Sequence, residues 1–145
     1  MIVVLDANVL APMALAPAQG VLAGILAAWR QELFTVVVSD HLLAEVQRTL
    51  ENRYFRGRLA PQDVETYLAF VRSHARHVVT TVAVSGVATH PEDDLVLAAA
   101  LSARADVLVT GDIRFRSRVP SYQGVLLVSP EAVSRATREF SWSAR

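Results

Sequence analysis

The sequence predicts an α/β fold in which a central parallel sheet is covered by helices on both faces. Three observations lead there. The segment "IVVL" at residues 2–5 is apolar at every position, as a strand buried on both faces must be. Further short apolar runs stand at 34–39, 106–110 and 125–129. Between them lie stretches of helical periodicity, and strands that alternate with helices imply parallel pairing through crossovers.

The first strand stops at Asp6-Ala7-Asn8, and Pro12 and Pro17 interrupt the next stretch of chain. "GVLAGILAAWRQE" (20–32) reads as a helix of roughly three turns despite Gly24. "FTVVVS" is the second strand. Ser39 is a natural N-cap for "DHLLAEVQRTLENRYF" (40–55), whose apolar positions 42, 43, 46 and 50 form one stripe. Gly57 ends that region, and Pro61 opens the next helix, "PQDVETYLAFVRSHA". "HVVTTVAVS" (77–85) is rich in β-branched residues and is predicted to be extended. A loop, "GVATHP", precedes the helix "EDDLVLAAALSARA" and the strand "DVLVT". "FRSRVPSYQG" is a loop or short helix, "VLLVS" the last strand, and Ser129-Pro130-Glu131 starts the C-terminal helix. Residues 1–139 are expected to form one domain, with 140–145 a frayed tail.

Composition narrows the chemistry. A length of 145 residues with 52% apolar content suits one domain with a real core. A formal net charge of 0 excludes a strongly basic, histone-like protein but leaves room for a local basic patch. With no cysteine, disulfides, thiolate catalysis and cysteine-based zinc sites are absent, and the four histidines are scattered at 41, 74, 77 and 90. All 14 basic residues are arginine, which removes Walker A loops and Schiff-base chemistry. No charge occurs from Ala7 to Trp29, yet Asn8, Pro12, Pro17, Gly20 and Gly24 fall inside that run and no basic flank precedes it. A membrane span or signal peptide is therefore not expected, and a cytoplasmic location is.

In parallel sheets ligands bind beyond the carboxyl ends of the strands. Asp6 directly follows the first strand, and Asp112 lies just past "VLVT". Asp94 sits in the opening turn of the helix before that strand. Glu45 lies at the edge of the apolar stripe in the helix that follows "VVVS". Each acid alone has a plain alternative: Glu92, Asp93 and Asp94 favour a helix N-terminus, Asp112 suits a turn, and Glu45 suits a helix surface. Together, Asp6, Glu45, Asp94 and Asp112 are expected to converge at one edge of the sheet. Carboxylates so placed must take up protons or be neutralised by a cation. Oxygen donors without Cys or His select Mg²⁺ or Mn²⁺, and such a site suits attack of water on phosphorus.

Three segments, "VVLDANVLAPMAL", "VVVSDHLLAEVQRTL" and "HPEDDLVLAAALSARADVLVTGD", together resemble the PIN-domain family. Within it they are most similar to the toxin ribonucleases of bacterial toxin–antitoxin pairs (VapC-type). The ordered set spans nearly the whole chain. The resemblance implies a three-layer α/β/α sandwich and a Mg²⁺- or Mn²⁺-dependent endoribonuclease that hydrolyses RNA phosphodiester bonds, the toxin of a type II pair. It assigns catalysis and metal binding to Asp6, Glu45, Asp94 and Asp112, with Asn8 and Thr110 in support. It leaves the role of the neighbouring Asp93 open. The stretch "IRFRSRVPSY" (113–122) departs from the shorter, more apolar segment of relatives.

An RNA substrate needs positive surface. Arg114, Arg116 and Arg118 follow Asp112, and Arg48 heads a second cluster with Arg53, Arg56 and Arg58 around Tyr54 and Phe55. The resemblance further implies a homodimer and a cognate antitoxin laid across an apolar groove, to which the helices near 20–29 and 61–75 would contribute. Two other readings stand beside the nuclease. An aspartate-nucleophile phosphotransferase needs a second acid where Asn8 stands and a lysine, and the chain offers neither. A non-catalytic nucleic-acid- or protein-binding module on the same fold would have no use for four intact acids.

Overall fold

The computed structural model describes residues 1–16 and 19–143, with side chains through Arg138. Pro17, taken from the sequence as a chain break, and Ala144 and Arg145 of the expected tail lie outside the described residues.

Six strands form one sheet in the order β3-β2-β1-β4-β6-β5. They are β1 (Ile2–Leu5), β2 (Thr35–Val38), β3 (Arg76–His77), β4 (Val107–Val109), β5 (Ser121–Tyr122) and β6 (Val125–Val128). All pairings are parallel except that of the edge strand β5 with β6. β1 lies in the middle, with Val4 opposite Val37 on one side and Leu108 on the other. Val3, Val4, Leu5, Val36, Val37, Val38, Leu108 and Val109 are all buried, which is why these runs show no polar alternation. Burying each such side chain stabilises the fold by ~1.5–3 kcal/mol.

The helices cover this sheet. The short α1 (Ala7–Leu10) and a 3₁₀ turn (Pro12–Leu15) follow β1 at once, as the early prolines require. α2 (Val21–Arg30) packs against the C-terminal α8 (Pro130–Ser143). Gly24 makes that approach possible: a Cβ there would stand 2.9 Å from Ser134 Oγ. Ser129 caps α8 by accepting from the N–H of Ala132.

Two elements differ from the sequence reading. The helix expected over 40–55 is split into α3 (Asp40–Leu50) and α4 (Arg53–Arg56). Asn52 makes the break, because its side chain accepts from the N–H of Phe55 and so starts a new helix. The strand expected over 77–85 shrinks to β3. Beyond it the β-branched run lies at an exposed edge, with Val79 and Val82 facing solvent. The N–H groups of Thr81 and Val82 bond to Ser102 Oγ instead of to a strand. Three more helices complete the chain: α5 (Pro61–His74), α6 (Pro91–Ser102) and α7 (Ile113–Arg118). No helix among the described residues is long and apolar enough to cross a membrane.

Candidate active site

Strand order places a switch point at β1 and β4. The chain runs outward from β1 through β2 to β3, then returns to the other side of β1 with β4 and β6. Such a reversal opens a crevice at the carboxyl ends of the strands. A cleft of about 460 Å³ opens at this edge, lined by Asp6, Ala7, Asn8, Glu45, Thr49, His90, Pro91, Glu92, Asp93 and Asp112.

Asp6 forms its floor. It is 5% exposed and caps α1, accepting from its neighbour's N–H (Ala7, 2.8 Å) and from Thr110 Oγ1 (2.9 Å). The Thr110 hydroxyl in turn accepts from the Asn8 amide (3.1 Å) and the N–H of Asp112 (3.2 Å). Asn8 Oδ1 accepts from the N–H of Gly111 (2.9 Å). Asn8 and Thr110 thus tie the end of β4 to the end of β1. Asp112 caps α7, with Oδ1 accepting from the N–H groups of Arg114 and Phe115. Capping and cleft lining coexist in both acids, because one carboxylate has more acceptor sites than a cap uses.

The structure brings Asp6, Glu45 and Asp112 to the cleft together, and does not bring Asp94. That carboxylate is buried and accepts from three consecutive backbone N–H groups, of Gly86 (3.0 Å), Val87 (3.3 Å) and Ala88 (2.7 Å). The acids of α6 that line the cleft are Asp93, half-buried and set one residue earlier, and the exposed Glu92. Asp94 and Asp93 share a first turn, but residues on an α-helix advance by about 100° each, so one faces the loop and the other the cleft.

Charge repulsion marks the cleft. Burial raises Asp6 above its ordinary range, and Asp112 adds to the effect. Burial, then Asp6 and Asp112, push Asp93 up to about 6. Burial, then Glu92 and Asp6, push Glu45 up to about 7, against a lowering by Arg48. No arginine is among the described residues that line the cleft. An all-oxygen set of mutually repelling carboxylates fits a hard divalent cation, and Asp6, Asp93, Asp112 and Glu45 would hold it.

Two residues were not among the sequence candidates. His41, one turn before Glu45 on α3, places Nε2 3.0 Å from Glu92 Oε2 and 3.9 Å from Glu45 Oε1. These three offer ligand atoms within 4.8 Å of one another, a closeness that Asp6, Asp93 and Asp112 do not reach. The i, i+4 spacing of His41 and Glu45 was the available signal. The arginines divide. Arg116 Nη1 donates to the Thr110 carbonyl, and Arg118 Nε donates to the Val87 carbonyl (3.0 Å), so both brace the fold. Arg48, Arg114 and Arg118 are exposed, and Arg116 is half-buried.

Stability should carry the mark of this repulsion. Glu45 and Asp93 bind protons more tightly folded than at their ordinary values of 4.5 and 3.8. Their contribution is therefore fully present below about pH 4 and lost as pH rises through about 6–7. In a chelator, the melting temperature is expected to fall from about pH 5 to pH 8, and Glu45→Gln to flatten that fall. Thermal melts of both proteins check it.

A family model described as a PIN domain matches residues 2–114. The chain belongs to the PIN domain family. This PIN domain is also similar to a chain in the crystal structure of VapBC2 from Rickettsia felis bound to a DNA fragment from their promoter. The TM-score is 0.61 at 17% identity, over 89% of this chain and 98% of that one. At that identity the likeness is one of fold, and it supports the α/β architecture with its central, mostly parallel sheet. No curated protein matches the chain.

Proposed function

We propose that this PIN domain is a metal-dependent endoribonuclease, the toxin of a toxin–antitoxin pair. The observation that carries the reading is the cleft at the β1–β4 switch point. There Asp6, Glu45, Asp93 and Asp112 meet with raised proton affinities at the first three and no arginine among the lining residues described. Family membership and the fold shared with VapBC2 support the biological role.

Asp6, Asp93 and Asp112 would hold Mg²⁺ or Mn²⁺, with Glu45 at the margin. The cation supplies positive charge against the phosphate oxygens and makes water more acidic. Glu45, half-buried at the wall of the cleft, is placed to take the proton of the attacking water. Thr110 and Asn8 keep Asp6 oriented through their shared hydrogen bonds. Arg114 and Arg48, exposed beside Asp112 and Glu45, meet the phosphates of the RNA strand. An antitoxin segment would lie in the groove of about 550 Å³ lined by Leu50, Leu59, Pro61, Val64 and Leu68. α2, expected from the sequence to share that role, packs on α8 with one face and meets α5 through Trp29 and Phe70, whose ring centroids lie 4.9 Å apart. A homodimer and a cytoplasmic location belong to the same reading.

Incubation of the purified chain with a pool of single-stranded and hairpin RNAs tests it. Cleavage is expected with Mn²⁺ or Mg²⁺, and none with a chelator. Mn²⁺ binding without cleavage of any RNA would favour the non-catalytic binding module.

A further inference from the structure

Asp94 and Arg118 grip one short segment from two sides. The three N–H groups of Gly86, Val87 and Ala88 point at the Asp94 carboxylate on α6. The carbonyl of the middle residue, Val87, accepts from Arg118 Nε on α7. Gly86, at φ 71°, makes the turn that lets successive amides converge on one anion. The helices so joined are the ones that carry the two outer acids of the cleft. Asp93 precedes Asp94 on α6, and Asp112 caps α7. β3 is the last strand before this segment, and residues 78–90 form no helix or strand. The far end of α6 is held by its buried face and by Ser102, which accepts from Thr81 and Val82, and its first turn by Asp94.

Geometry converts the grip into site precision. α6 can turn about its axis only if Asp94 leaves its amides. A turn of ~20° at a Cα radius of about 2.3 Å moves Asp93 by about 0.8 Å. Groups that share a ligand must be held to ~0.5 Å. We propose that Asp94 and Arg118 are positioning residues, which act through the segment Gly86–Ala88 to set Asp93 against Asp6 and Asp112. This rests on the metal-site reading of the cleft, and it gives Arg118 a task other than contact with RNA.

The test is calorimetric Mn²⁺ titration without RNA, on the full chain as wild type, Arg118→Met, Arg118→Lys and Asp94→Asn. Metal-free melts run alongside. An arginine that only touches RNA would leave the titration unmoved. Arg118→Met is expected to weaken Mn²⁺ binding about 3–10-fold, at the low end for a supporting partner, with its metal-free melting temperature within about 2 °C of wild type. Arg118→Lys, which can still donate to the Val87 carbonyl, is expected to restore binding to within about twofold. A folded Asp94→Asn is expected to lose roughly tenfold or more. Wild-type affinity in Arg118→Met, or in a folded Asp94→Asn, overturns the role of that residue, and both results overturn the proposal. Absence of Mn²⁺ binding in the wild type is a different result, which overturns the metal-site reading and the proposal with it.

Discussion

Asp94→Ala is expected to lower the unfolding free energy by ~2–4 kcal/mol, a large effect for one side chain. The substitution removes the carboxylate that Gly86, Val87 and Ala88 share as an acceptor. The N–H of Ala88 is buried, so its loss costs about what an unsatisfied donor costs, ~1–3 kcal/mol. The other two N–H groups are partly reached by water and lose less. For a chain of this length the fall in melting temperature is on the order of 10 °C. Thermal or urea unfolding of the metal-free protein measures it. An unchanged melting temperature would mean that the loop holds without its anion.

Asp6→Asn is expected to act in the opposite way. RNA hydrolysis should fall by ~10³-fold or more, since several kcal/mol of charge stabilisation go with the carboxylate. Metal-free stability should hold or rise. An asparagine oxygen can still accept from Ala7 while its amide donates to the Thr110 hydroxyl, and the buried charge that repels Asp112 is gone. Added Mn²⁺ should raise the melting temperature of the wild type and leave that of Asp6→Asn unmoved. Cleavage assays and paired melts read both halves. Strong residual cleavage would remove Asp6 from the reacting centre.

The opposite signs of these two substitutions separate an acid that serves the fold from one that strains it. The sequence made part of that division legible. Fully apolar runs marked the buried strands, and the strand-end rule selected Asp6 and Asp112 without any knowledge of side-chain direction. Helical spacing carried Glu45. The choice between Asp93 and Asp94 was beyond such reasoning. Both acids favour the same helix N-terminus, and what parts them is a loop at 86–88 with no periodic signal of its own. His41 was hidden for a related reason. Its partner Glu92 comes from a distant helix, and that acid had a sufficient explanation in helix electrostatics. β-propensity misled over 77–85, where strand-forming residues lie at an edge with no neighbour to pair with. The arginines after Asp112 looked alike as a charge run, whereas two of the three spend a guanidinium N–H on a backbone carbonyl.

On the metal-site reading, Asp93 forms a cation site with Asp6 and Asp112 at the β1–β4 edge. Calorimetric titration of Mn²⁺ into wild type and Asp93→Asn tests it most directly, because it needs neither RNA nor antitoxin. Specific binding in the wild type, weakened at least tenfold (about 1.4 kcal/mol) in a fully folded Asp93→Asn, is the result expected. Equal affinity in the two proteins, or no binding in the wild type, would contradict it.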